Sequence, residues 1–234
     1  MNIWTIWVIL IICAYLLGSL PVSFLVGKLR GVDLRHYGTN QVGGGNLWRM
    51  TSWKFALPVG IFDFVKGMVM VWIAQVQGLD AAQQIVIGLA TIVGHNWPVF
   101  LRFHGGRGIG TTMGIITILP LINNMTPWPS VALWAILIIG RLVLGSSPLP
   151  VLIGITAAPF ISWGLHEPVP VTLGFVTIFL IIVIKRLAAQ PSAEAASISR
   201  TRLLFNRLLF DRDIKDKTVW MYRTPIAQQE EWDD

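Results

Sequence analysis

Ile3-Trp4-Thr5-Ile6-Trp7-Val8-Ile9-Leu10-Ile11-Ile12-Cys13-Ala14-Tyr15-Leu16-Leu17 contains no charged side chain, and Val171 to Ile184 repeats the pattern near the other end of the chain. Runs of this kind suit hydrocarbon and are unsuited to a water-facing surface. The bias extends through the whole 234 residues, which are 54% hydrophobic and 13% charged, against about 45–50% and about 25% in a soluble domain. The chain therefore reads as an all-α, polytopic integral membrane bundle, and soluble enzyme folds are excluded. Cys13 is the single cysteine and lies inside the first apolar run, so neither an intramolecular disulfide nor a cysteine-based metal site can form.

At about 1.5 Å of rise per residue and a hydrocarbon core of roughly 30 Å, spans are expected near residues 3–27, 55–76, 81–100, 109–124, 129–144, 147–164 and 170–185. That gives about seven transmembrane helices. Lys28, Arg30, Arg35, Arg49 and Lys54 fall in the first connection, Arg102 and Arg107 in the third and Arg141 in the fifth, while the second, fourth and sixth have no cation. The positive-inside rule then places the odd loops and the tail in the cytoplasm and the N-terminus outside. The first span lacks a small-residue cleavage site and is expected to stay uncleaved. The net charge of +6 follows this alternation. No basic tract interleaved with aromatics accompanies it, so nucleic acid is not an expected partner.

Two regions follow: a membrane domain over residues 1–186 and a cytoplasmic tail over 187–234. Pro191 to Ser199 is small and polar, and Glu230 to Asp234 reads as a solvated acidic end. Between them, Arg202-Leu203-Leu204-Phe205-Asn206 is nearly copied by Arg207-Leu208-Leu209-Phe210-Asp211. Leu204, Phe205, Leu208 and Leu209 share a helical face, which fits either a helix lying on the membrane surface or one packed on the bundle.

Chemistry is expected in two cytoplasmic loops. In the first, Gly43-Gly44-Gly45 gives backbone freedom and close main-chain approach, and Thr39, Asn46 and Arg49 can donate to an anionic or polyhydroxyl ligand; a plain flexible loop fits the same composition. The second, Phe103-His104-Gly105-Gly106-Arg107-Gly108, opens a helix and suits a phosphate cradle of N–H groups with one guanidinium. It is not a nucleotide-binding fingerprint, because the lysine and the preceding strand are missing. Asp63 and Lys66 share one face of the second span, as a structural ion pair or a ligand contact. His36, His95, His104 and His166 show no metal-ligand spacing.

Tyr15-Leu16-Leu17-Gly18-Ser19-Leu20-Pro21, Gly38-Thr39, Asn46, Arg49, Asp63-x-x-Lys66-Gly67 and Gly94-His95-Asn96-Trp97-Pro98-Val99-Phe100 through Gly108 together resemble the bacterial acyl-phosphate:glycerol-3-phosphate acyltransferase family, over roughly residues 10–186. The resemblance implies a seven-span enzyme of the bacterial inner membrane. Such an enzyme moves a fatty acyl group from acyl phosphate to the 1-hydroxyl of glycerol 3-phosphate without metal or other cofactor, and its partners are these substrates and membrane lipid. Catalytic roles would fall on Thr39, Arg49 and Arg107. Substrate contacts would fall on Gly43, Gly44, Gly45, Asn46, Asp63, Lys66, His95, Asn96, Gly105, Gly106, Gly108 and Thr111.

Three departures stand out. Thr39 replaces the family's serine, Arg107 replaces its lysine, and the histidine of the family's third motif, Arg-His-x-x-Asn-Ile after the last span, falls on Leu187 or Thr201, according to whether the motif is aligned directly after the last span or through Arg207. With that histidine gone, the substrate's own phosphate is the expected proton acceptor, with Asp63 a distant second. A non-catalytic lipid- or phosphate-binding relative and a small transporter are the rival readings, although no inverted repeat supports the latter.

Overall fold

The computed structural model describes residues 2–189, 192, 195 and 198–221. It is helical: α1 (Ile3–Gly18), α2 (Val22–Leu29), α3 (Gly44–Met50), α4 (Trp53–Val76), α5 (Ala81–Asn96), α6 (Ile109–Ile122), α7 (Trp128–Leu144), α8 (Pro148–Gly164), α9 (Val169–Leu187), α10 (Arg200–Phe210) and α11 (Lys217–Met221). Four segments, Ile3–Leu29, Trp53–Val76, Ala81–Leu101 and Val169–Leu187, are long and apolar enough to cross a membrane, and α6, α7 and α8 are shorter apolar helices. Most of Pro191 to Ser199 and all of Glu230 to Asp234 lie outside the described residues.

The first expected span is broken. Pro21 cannot donate to the helix ladder and restricts Leu20 before it, so α1 stops at Gly18 and α2 starts at Val22. Carbonyls freed at a helix end need new partners in lipid, and Gly18 O accepts from the buried Lys66 Nζ at 3.2 Å. The break thus couples α1 to α4.

Lipid tails are as apolar as leucine, so close packing holds the bundle where water exclusion cannot. Small residues permit it. A Cβ on Gly94 would strike the Tyr15 carbonyl of α1, and one on Gly67 would strike the Thr111 carbonyl of α6. Around these crossings Ile85, Ile92, Ile115, Ile116, Leu119, Phe175 and Ile178 form a buried core.

The two ends of the bundle differ in chemistry. At one end amide and carboxylate groups close the turns: Asp80 and Gln83 cap α5 reciprocally, Gln84 and Asn123 exchange amide hydrogen bonds, and Glu167 accepts from Thr126 N and Oγ1. The other end gathers both glycine-rich loops, the end of α9 and the tail. There α10 packs on α8 and α9. Arg186 Nη1 donates to Leu208 O at 2.6 Å, and Arg207 Nη1 returns a bond to Leu187 O at 3.0 Å. Asn206 and Arg207 are buried against the bundle, while Leu204 and Phe205 stay exposed.

Candidate active site

A cavity of about 940 Å³ opens at the cationic end between the two loops, α4, α7 and the tail. Its polar wall carries Arg49, Arg107, Arg186, Arg212 and Lys217 against only Asp63 and Asp211. Of these cations, Arg107 alone is ion-paired among the described residues, to Asp211 Oδ1 at 2.8 Å. The opposite wall includes Trp53, Leu57, Ile61, Phe64 and Trp134. Leu57 and Ile61 are exposed on the bundle surface, so the cavity meets the lipid-facing side.

The first loop is organised by Asn46. Its Nδ2 bonds to the carbonyls of Leu34, Tyr37 and Gln41 at 3.0–3.2 Å, and its Oδ1 accepts from Thr39 N at 3.0 Å. Asn46 borders the cavity, yet its side chain is 2% exposed and its amide is committed to the loop. Gly38, at φ +65, lets the chain turn tightly against it. The glycine triplet also differs from expectation. Gly43 is extended, Gly44 and Gly45 begin α3, and none has positive φ. What the missing Cβ atoms leave is open space along the cavity, with nothing within 4 Å of a Cβ at Gly43. Thr39 and Arg49 line that space, and neither side chain has a hydrogen bond within the described residues. Arg49 is accessible because it borders the cavity, and its ordinary guanidinium pKa is lowered, chiefly by desolvation and then by Arg141.

The second loop is tied in place. Gly106 N donates to His95 O at 3.2 Å, and a Cβ on Gly106 would meet the His95 ring and, at 2.6 Å, the Val42 carbonyl. This glycine is therefore required by the junction of the two loops. Gly108, at φ +69, caps α6. Gly105 packs against the Asn96 carbonyl and Pro98 and does not line the cavity. Arg107 Nη1 donates to Lys185 O. With Gln41 oriented to satisfy its neighbours, Gln41 Oε1 accepts from Arg107 Nε at 3.2 Å and Nη2 at 2.9 Å. Lys185 Nζ in turn donates to Asn96 O and sits 4.9 Å from the Trp97 ring centroid.

Beneath the cavity, Lys66 Nζ lies 2.7 Å from Asp63 Oδ1 and 2.9 Å from His95 Nδ1. An ammonium has donors only, so its contact with Nδ1 is a hydrogen bond when that nitrogen accepts. The ring proton then sits on Nε2, the atom turned towards Gly106. Asp63 and His95 reach the cavity wall; Lys66 does not, its side chain being 1% exposed. Asn96 and Thr111 do not line the cavity. Both are buried away from the cavity, Asn96 against Gly108 and Thr111 at the crossing of α4 and α6. Leu187 is half-buried and Thr201 exposed, so neither replacement of the third-motif histidine lines the cavity.

The tail's contribution went unread in the sequence. Asp211, Arg212, Lys217 and Trp220 all line the cavity; the only sequence signal was the change from Asn206 to Asp211 between the two near-copied pentapeptides.

Residues 8–190 match the family described as glycerol-3-phosphate acyltransferase. The chain belongs to that family. Glycerol-3-phosphate acyltransferase 5 of Dehalococcoides mccartyi is 39% identical over 232 residues, covering 96% of this chain and 97% of the relative. Among solved structures, the glycerol 3-phosphate form of PlsY (YgiH), an integral membrane glycerol 3-phosphate acyltransferase, superposes with a TM-score of 0.71 at 29% identity. It covers 86% of this chain and 93% of that one. The lysophosphatidic acid form of PlsY gives 0.69 at 26% identity, over 88% and 97% of the two chains. Within this glycerol-3-phosphate acyltransferase, the two glycine-rich loops border a polar cavity that has an apolar wall.

Proposed function

We propose that the protein takes a fatty acyl group from an acyl phosphate and transfers it to the 1-hydroxyl of glycerol 3-phosphate, giving lysophosphatidic acid and orthophosphate. One observation carries the reading: the cavity holds more positive charge than its two carboxylates neutralise, beside an apolar wall open to the bundle surface. Two phosphate groups match that excess, and an acyl chain matches the wall. Arg49 and Thr39 supply side-chain donors without other partners among the described residues, and Arg107 stands across the same cavity.

The hydroxyl oxygen attacks the acyl carbonyl carbon, the bond from that carbon to the bridging phosphate oxygen breaks, and phosphate leaves. Acyl phosphate is a mixed anhydride with a good leaving group, so orientation and charge stabilisation are the main tasks of the protein. A substrate phosphate takes the hydroxyl proton. His95 holds the second loop through Lys66 and Gly106 and is a positioning residue. The cationic end faces the cytoplasm of a bacterial inner membrane, with the N-terminus outside, as the cation distribution favours. The exposed Leu204 and Phe205 of α10 rest at that membrane surface.

The test is purified full-length protein supplied with acyl phosphate and glycerol 3-phosphate, with phosphate and lysophosphatidic acid both quantified. Equal molar amounts, dependent on both substrates, are expected. Phosphate release without lysophosphatidic acid, or no turnover with any polyol phosphate, would refute the proposal and favour a non-catalytic binding protein.

A further inference from the structure

Asp211 ends α10 in the left-handed conformation at φ +55, where glycine is the usual residue and Asp or Asn is tolerated. Its carboxylate enters the cavity and meets Arg107 Nη2 at 2.8 Å, with the two side chains 14% and 10% exposed. Lys185 O and Gln41 take further N–H groups of the same guanidinium. Three of its five donors thereby have hydrogen-bond acceptors, and Asp211 adds the one negative charge paired with it among the described residues. An anion that pairs with Nη2 of Arg107 must therefore take the place of this carboxylate.

We propose that Asp211 is a specificity-determining residue of the anion site: it occupies Arg107 until a dianionic phosphate displaces it, and it holds off singly charged ligands. The inference rests on the acyltransferase reading of the cavity. A phosphate monoester carries nearly two negative charges at neutral pH and three acceptor oxygens, so it gains more from a guanidinium than a carboxylate does. A carboxylate ligand would exchange like for like and gain nothing. The released Asp211 has a nearby alternative, because Arg49, Arg186 and Arg212 all act on it electrostatically.

Asp211→Asn tests this with shape preserved. In full-length protein in nanodiscs, calorimetry should show inorganic phosphate binding about five- to tenfold tighter, and KM for glycerol 3-phosphate should fall by a similar factor. Inhibition by glycerate, a carboxylate analogue of the acceptor, should strengthen as much or more. Adding Arg107→Ala should abolish these gains. Should Asp211→Asn not fold, Asp211→Gly, which suits φ +55, is read the same way. Unchanged or weaker phosphate binding in a variant that melts like wild type would overturn the inference, as would a gain that survives loss of Arg107. Tighter phosphate binding without lysophosphatidic acid formation would leave the inference standing and refute the acyltransferase reading; normal turnover with unchanged phosphate affinity would do the reverse.

Discussion

Arg49 and Arg107 come from two glycine-rich loops, border one cavity, and look equivalent on paper. Their surroundings differ. Arg49 has no ion pair or hydrogen bond within the described residues, whereas Arg107 is held by Lys185 O, Gln41 and Asp211. A cation's availability is set by the groups that converge on it from distant parts of the chain. Arg49 meets a phosphate with no contacting carboxylate to displace among the described residues. Arg107 offers the difference between phosphate and Asp211.

The same division, paired against open, applies to the other charges, and the largest effect should come from a pair. Lys66→Met leaves Asp63 buried beside His95 without its ammonium, and removing one partner of a buried pair typically destabilises by about 3–5 kcal/mol. A thermal melt in detergent should show a large loss of stability. If the variant melts like wild type but has a raised KM, Lys66 belongs with the open cations. A smaller loss is expected from His95→Gln, about tenfold or less in kcat, below the roughly 10²–10⁴-fold of a missing general base. Loss of all turnover with glycerol 3-phosphate binding intact would make His95 the base. The smallest effect should come from Asp33, whose carboxyl is held well below the usual carboxylate range by Arg35, with Lys28 assisting. Because the folded pKa is depressed, its stabilisation is complete above about pH 4 and is lost as pH falls towards the folded value. Asp33→Asn should therefore destabilise by less than about 1 kcal/mol at neutral pH, with the difference from wild type narrowing in acid.

What sequence reasoning could reach follows the same line. Helix positions were legible because apolar runs and punctuating Gly and Pro act locally. The Asp63–Lys66 pair was legible because residues three apart share a helical face. The loop-organising role of Asn46 is not legible because its partners, Leu34 to Gln41, are defined only once the loop folds back. The glycine triplet was read as conformational freedom, and its use is open space. The tail was least legible. Arg207 meets Leu187 O and Asp211 meets Arg107 only through tertiary packing, and no periodicity encodes those contacts.

The most direct test sets Arg49→Ala beside Arg107→Ala and measures kcat/KM for glycerol 3-phosphate in matched preparations. Loss of an uncompensated charge contact to phosphate predicts a fall of about 10²–10³-fold for Arg49→Ala, with partial recovery in Arg49→Lys. The fall for Arg107→Ala should be several-fold smaller, because the wild-type contact there is gained only by breaking the Arg107–Asp211 pair. A larger loss at Arg107 than at Arg49 would contradict the division into open and committed cations on which this account rests.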